Sequence, residues 1–173
     1  YKIRIGHSGV GSSTHLISVI MQNMTGCKAT LIPLKRNSPL LSGEIHAMAE
    51  VLTAAVRLWK AKKFNIIVHM TGKKNAVIPD VPTMQDMGYD IAFDHFRGVS
   101  VPKGTPEAIK AKIADAIMKA AKSKSFMALA KSKGFTVDPT GPVEFEKMLA
   151  KRNKIVADIM KDAGIYRSKK FKD

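Results

Sequence analysis

Ten consecutive residues near the start of the chain concentrate its chemical potential: Gly6-His7-Ser8-Gly9-Val10-Gly11-Ser12-Ser13-Thr14-His15. Glycine lets a backbone come close to a ligand, and free N–H groups at the start of a helix attract an anion. Hydroxyls from Ser8, Ser12, Ser13 and Thr14 add further donors. His15 falls one helical turn beyond the loop, where it either orients the loop or packs. Anion capture is the chemistry this composition suits. Ser8, Gly9, Gly11, Ser12, Ser13, Thr14 and His15 are therefore the candidate ligand contacts. The plain alternative is a glycine turn with a helix cap and no ligand.

Sharper enzymatic motifs fail on particular residues. Gly6 and Gly11 have the spacing of a nucleotide-binding P-loop, but Ser12 stands where that loop needs its phosphate-neutralising lysine. A dinucleotide fingerprint starting at Gly9 and Gly11 needs Gly or Ala at position 14, which is Thr14. A nucleophile elbow built on Gly6 and Ser8 needs glycine where Val10 stands. A hydrolase using Ser8 stays as a minor alternative, and no catalytic residue is assigned. The five histidines, His7, His15, His46, His69 and His95, lack metal-ligand spacing, so no metal and no cofactor is expected. The single cysteine, Cys27, cannot form an internal disulfide and reads as a small packed side chain. The acids are scattered, without the pairing of a two-carboxylate catalyst.

A loop of this kind acts only if a strand and a helix hold it. Residues 1–6 alternate like a strand. The helix after the loop places Leu16, Ile17, Ile20, Met21 and Met24 on one face, with Ser12, Ser13 or Thr14 as its cap and Gly26 as its stop. Further strands are expected at 29–33, 45–49, 64–70 and 96–101, and a helix at 51–61. Residues 73–83 contain Pro79 and Pro82 and read as loop, and 84–87 as a helical turn ended by Gly88. Thr105 and Pro106 open a helix carrying Ile109, Ile113 and Ile117. A second helix covers 125–133 and a third runs from Pro142 to Gly164, with a short strand expected at 135–137 between them. Alternation up to residue 101 argues for α/β layering with a largely parallel sheet.

Composition sets outer bounds. The chain has 173 residues and 18.9 kDa, 45% of them hydrophobic, enough for a packed core without staples. No apolar run approaches the roughly 18 residues of a membrane-spanning helix. The net charge is +15. Residues 1–100 hold 12 basic and 6 acidic residues, and 101–173 hold 17 and 8. Most lysines lie on amphipathic helices and read as a solvated face. Charge alone leaves a small basic nucleic-acid-binding domain as an alternative. The 11 aromatic residues do not interleave with the basic ones, so base-stacking signatures are missing and no nucleic-acid partner is assigned.

Several segments, taken in order, resemble the tripartite tricarboxylate transporter substrate-binding proteins, the Bug family. They are Gly9-Val10-Gly11-Ser12-Ser13-Thr14-His15-Leu16, Ile32-Pro33-Leu34-Lys35, Pro79-Asp80-Val81-Pro82-Thr83 with Gly88, and Arg97-Gly98-Val99-Ser100-Val101-Pro102-Lys103-Gly104-Thr105-Pro106. Ala163-Gly164-Ile165 closes the match. The resemblance implies an α/β fold of the periplasmic-binding-protein type II kind, a parallel-rich sheet flanked by helices. Residues 1–101 would form the ligand-binding lobe, 102–165 a helical C-terminal part of the other lobe, and 166–173 a basic tail. It also implies a monomeric periplasmic protein of a Gram-negative bacterium, not an enzyme. Such a protein captures a small carboxylate between its lobes and delivers it to a membrane permease. By the same resemblance Glu50 stands where the family often places an Asp beside the ligand. Leu34-Lys35-Arg36 replaces the family's Tyr-Lys-Gly, and His46 its Asp. Family members are usually longer, and this chain matches their later part.

Overall fold

A computed structural model describes residues 2–164. Its centre is a β-α-β unit. Strand β1 (Ile3–His7) runs into helix α1 (Ser13–Thr25), which returns the chain to strand β2 (Ala29–Pro33). The two strands pair in parallel from Ile3 against Ala29 to His7 against Pro33. A short helix, α2 (Ser38–Leu41), lies in the polar connection, and strand β3 (Ala47–Met48) then joins the other edge of β1. The sheet order is β2-β1-β3, all parallel. The chain thus leaves β1 toward one side and later returns to the other. That reversal opens a crevice at the carboxyl end of the central strand.

Close packing at β1 explains Gly6. A Cβ there would sit 2.7 Å from both Ile45 Cδ1 and Leu34 Cδ1. Helix α1 is capped as its sequence suggests. Ser12 accepts the His15 N–H at 3.2 Å, and Gly26 ends the helix at φ +70°. Its first two turns are buried from Thr14 to Val19, and its last turn surfaces, with Met24 half exposed. Ile17 packs with Met84 and Ile91 in a cluster that Ile20, Met21, Val68, Met70 and Phe93 extend.

Helix α3 (Leu52–Lys60) follows β3. Residues 61–106 then contain no helix and no regular strand. The apolar run expected as a strand at 64–70 contributes a single parallel bridge, His69 to Thr83, and Ile67 is 73% exposed. The run expected at 96–101 is likewise not a strand. A strand needs a neighbour to complete its ladder, and residues 96–98 run against a helix instead. Local polar turns hold this region. Thr83 and Asp86 exchange bonds, Thr83 N–H to Asp86 Oδ2 at 2.9 Å and Asp86 N–H to Thr83 Oγ1 at 3.1 Å.

Three helices complete the chain: α4 (Glu107–Ala121), α5 (Lys124–Lys133) and α6 (Pro142–Asp162). Thr105 does not cap α4. Its hydroxyl donates to the Pro102 carbonyl at 2.8 Å, and the extended Pro106 precedes the first helical residue. Ser123 caps α5 and Gly134 ends it at φ +78°. No strand forms at 135–137. The basic tail 166–173 lies outside the described residues. Ile109, Ile117, Leu149 and Ile155 remain 39–48% exposed, so the apolar stripes of α4 and α6 are not closed over by the described residues.

Candidate functional site

The loop between β1 and α1 sits at the carboxyl end of the central strand, beside the crevice. Gly9 adopts φ +133° and Gly11 φ +76°, and no atom lies within 4 Å of where either Cβ would stand. Glycine is needed there for backbone conformation, not for room.

Thr14 organises the loop from the first turn of α1. Its Oγ1 accepts the Ser8 N–H at 2.9 Å and contacts Ser8 Oγ at 2.7 Å and Ser12 Oγ at 3.0 Å. Ser12 Oγ donates to the Gly9 carbonyl at 2.7 Å. Ser8 is therefore tied to Thr14, and among the described residues no imidazole is hydrogen-bonded to its hydroxyl.

Two buried histidines brace the loop from beneath. His7 and His15 are 1% and 8% exposed, and their rings stack with centroids 4.4 Å apart. The Gly11 N–H donates to His15 Nδ1 at 3.1 Å, which places the proton of the neutral ring on Nε2. His7 Nδ1 lies 3.2 Å from Gly9 N and 3.0 Å from Gly9 O. Burial pulls both imidazoles below the ordinary histidine value, and the neighbouring His7 adds to the effect on His15. His15 thus both accepts from the loop backbone and packs against His7.

Internal partners use most of the loop's backbone donors. Ser8, Gly9, Gly11 and Ser12 all have hydrogen bonds. Val10, Ser13 and Thr14 N–H have none among the described residues. The amides left for a ligand are thus that of Val10 in the loop and those of Ser13 and Thr14 in the first helical turn, where the helix dipole adds positive potential.

Sequence reasoning missed His95 and Arg97 as neighbours of this loop. Ser13 Oγ lies 3.1 Å from His95 Nδ1, and Arg97 Nη1 meets His95 Nε2. Nothing local in the sequence signals a contact across 82 positions. Burial and the Arg97 charge hold His95 below its ordinary value. Helix α6 carries the segment: Arg152 donates to the Asp94 carbonyl and lies over Phe93 and Phe96, and Phe96 meets Phe145 edge-on at 5.6 Å.

Glu50 follows β3 and so stands at the same end of the sheet. Its Oε1 accepts the Val51 N–H at 2.8 Å, just before α3 begins. That position favours α3 through its dipole. Among the described residues no group of three or more His, Cys, Asp or Glu side chains could hold a metal ion. No described helix is long and apolar enough to cross a membrane.

Comparison with known proteins adds to this geometry. Protein BugT of Bordetella pertussis is 25% identical over 162 residues, covering 91% of this chain and 50% of BugT. A Rhodopseudomonas palustris structure with adipate superposes with a TM-score of 0.82 at 23% identity, covering 95% of this chain and 56% of that one. MatC of the same organism, with bound malate, superposes at 0.71 with 21% identity, covering 91% and 56%. These structural likenesses establish the fold, a parallel α/β arrangement shared with solute-binding proteins. The chain spans about half the length of BugT. The family model described as the tripartite tricarboxylate transporter family receptor matches residues 1–165, and the chain belongs to that family.

Proposed function

We propose that this chain supplies one wall of a cleft that binds a small carboxylate. The observation that carries the reading is the position of the unpartnered Ser13 and Thr14 amides. They open α1 beside the crevice where the sheet order reverses. A ligand carboxylate accepts these two N–H groups and a hydroxyl, and the remaining loop residues hold the geometry. Ser12, Ser13 and Thr14 form the floor, Ser8, Gly9 and Gly11 shape the turn, and His15 supports it. Glu50 only accepts hydrogen bonds when ionised, so on the rim it suits a ligand hydroxyl and disfavours a second carboxylate there. Bound adipate and malate in two structures of the same fold agree with a small dicarboxylate.

The whole protein would then be a periplasmic receptor that binds without turnover and hands its cargo to the membrane permease of a tripartite transporter. Residues 1–101 form the ligand lobe in this reading. Residues 102–165 belong to the other lobe, which would cover the exposed stripes of α4 and α6. Calorimetric titration with adipate and with malate tests the binding. Ser13→Glu puts a carboxylate where the ligand's should lie and abolishes binding on this account. Unchanged affinity would remove the site.

A further inference from the structure

We infer, on the carboxylate-binding reading above, that Arg97 sets a preference for dianions by receiving a ligand's second carboxylate while the first lies on the opening turn of α1. The placement of Arg97 follows from how residues 94–98 alternate. The Asp94 carboxylate meets Arg152, Phe96 meets Phe145 edge-on, and a Cβ added at Gly98 would sit 2.5 Å from the Phe145 ring. These three positions face α6. His95, between the first two, turns the other way and reaches Ser13 Oγ at 3.1 Å. Contacts that repeat at every second residue are those of an extended chain, in which alternate side chains share a side. Arg97 therefore follows His95 onto the side of the α1 N-terminus.

The charge of Arg97 is available there. The residue is exposed and has no carboxylate partner among the described residues, whereas Arg152 is held by Asp94. Besides the His95 ring, its guanidinium reaches the Phe96 carbonyl at 3.5 Å. Its planar fork of N–H donors matches a carboxylate. Burial and the Arg97 charge hold His95 below its ordinary value, so near pH 7 Arg97 is the cation of this segment. Glu50, at the same end of the sheet, repels a second carboxylate from the β3 side. Lys35 and Arg36 follow β2, but among the described residues no hydrogen bond ties either to the first turn of α1.

Calorimetry on the 173-residue chain tests this with adipate, the monoanion hexanoate, and the neutral diamide of adipate. The variants are Arg97→Gln, Arg97→Lys, and Lys112→Gln, which removes an exposed charge from α4. The parent should bind adipate more tightly than hexanoate, and the diamide least. Arg97→Gln should weaken adipate about tenfold and leave hexanoate nearly unchanged. Arg97→Lys keeps the charge and should keep most of the preference, and Lys112→Gln should keep all of it. A parent indifferent between the two acids, equal weakening of both in Arg97→Gln as from a loosened segment, or an unchanged ratio there overturns the role of Arg97 and leaves the carboxylate site standing. The same loss in Lys112→Gln also overturns it, in favour of net charge alone. A parent that binds neither acid, or binds the diamide as well as adipate, overturns the site itself and the role of Arg97 with it.

Discussion

Removing the Thr14 hydroxyl while keeping the side-chain shape should loosen the loop by a calculable amount. Thr14 is 5% exposed, and Val fits its volume. The substitution Thr14→Val deletes one acceptor that serves the Ser8 N–H and contacts two hydroxyls. These three losses do not add up. Ser12 Oγ still donates to the Gly9 carbonyl and still accepts the His15 N–H. The Ser8 hydroxyl can turn to water. What is left is one backbone donor without its partner, at a cost of about 1–3 kcal/mol. For a chain of this size each kcal/mol lowers the melting midpoint by about 2–4 °C. Thr14→Ser is the control, because it keeps the oxygen and loses one methyl group, worth about 1 kcal/mol. Urea unfolding gives the stability difference, and amide hydrogen exchange at Ser8 shows where it arises. The Val variant should lose protection at Ser8 and the Ser variant should keep it. A Val variant with an unchanged midpoint and a protected Ser8 amide would refute the role given to Thr14.

Three other outcomes follow from the same geometry. His7 and His15 have folded-state pKa values below that of the unfolded chain. Their contribution to stability is therefore complete above about pH 6.5 and is lost as the pH falls below it. Urea midpoints between pH 8 and 5 should decline in that direction, and less steeply in His15→Asn. Gly9→Ala meets no neighbouring atom, so its cost is backbone strain at φ +133°, about 1–3 kcal/mol by denaturant unfolding. At Gly98 the opposite holds: an added Cβ would sit 2.5 Å from the Phe145 ring. Gly98→Ala should displace the segment carrying His95 from Ser13 and weaken carboxylate binding, with circular dichroism of the helices unchanged.

Much of the fold was legible because its determinants are local. The alternation of Ile3 and Ile5, the Ser12 cap and the Gly26 stop lie within a few residues of what they control. The same is true of Gly134 after α5 and Pro142 at the start of α6. The apolar run at 64–70 misled because a strand depends on a distant partner, and only His69 finds one. The residue types of the loop suggest an anion site. Which amides it keeps free was not legible, because that depends on the side chains that occupy the others. His15 takes the Gly11 donor and Thr14 the Ser8 donor. The approach of His95 to Ser13 depends on α6 holding residues 93–98 through Arg152 and Phe145, a tertiary arrangement without a local signature.

The central claim is that the first turn of α1 receives a carboxylate. Titration of the isotope-labelled chain with adipate, followed by amide NMR, tests it most directly. The account predicts saturable shifts centred on the Ser13 and Thr14 amides, smaller ones at Ser8, Gly9 and Gly11, and none from the neutral diamide at the same concentrations. Shifts of equal size from both compounds, or a response confined to residues away from this loop, would contradict it.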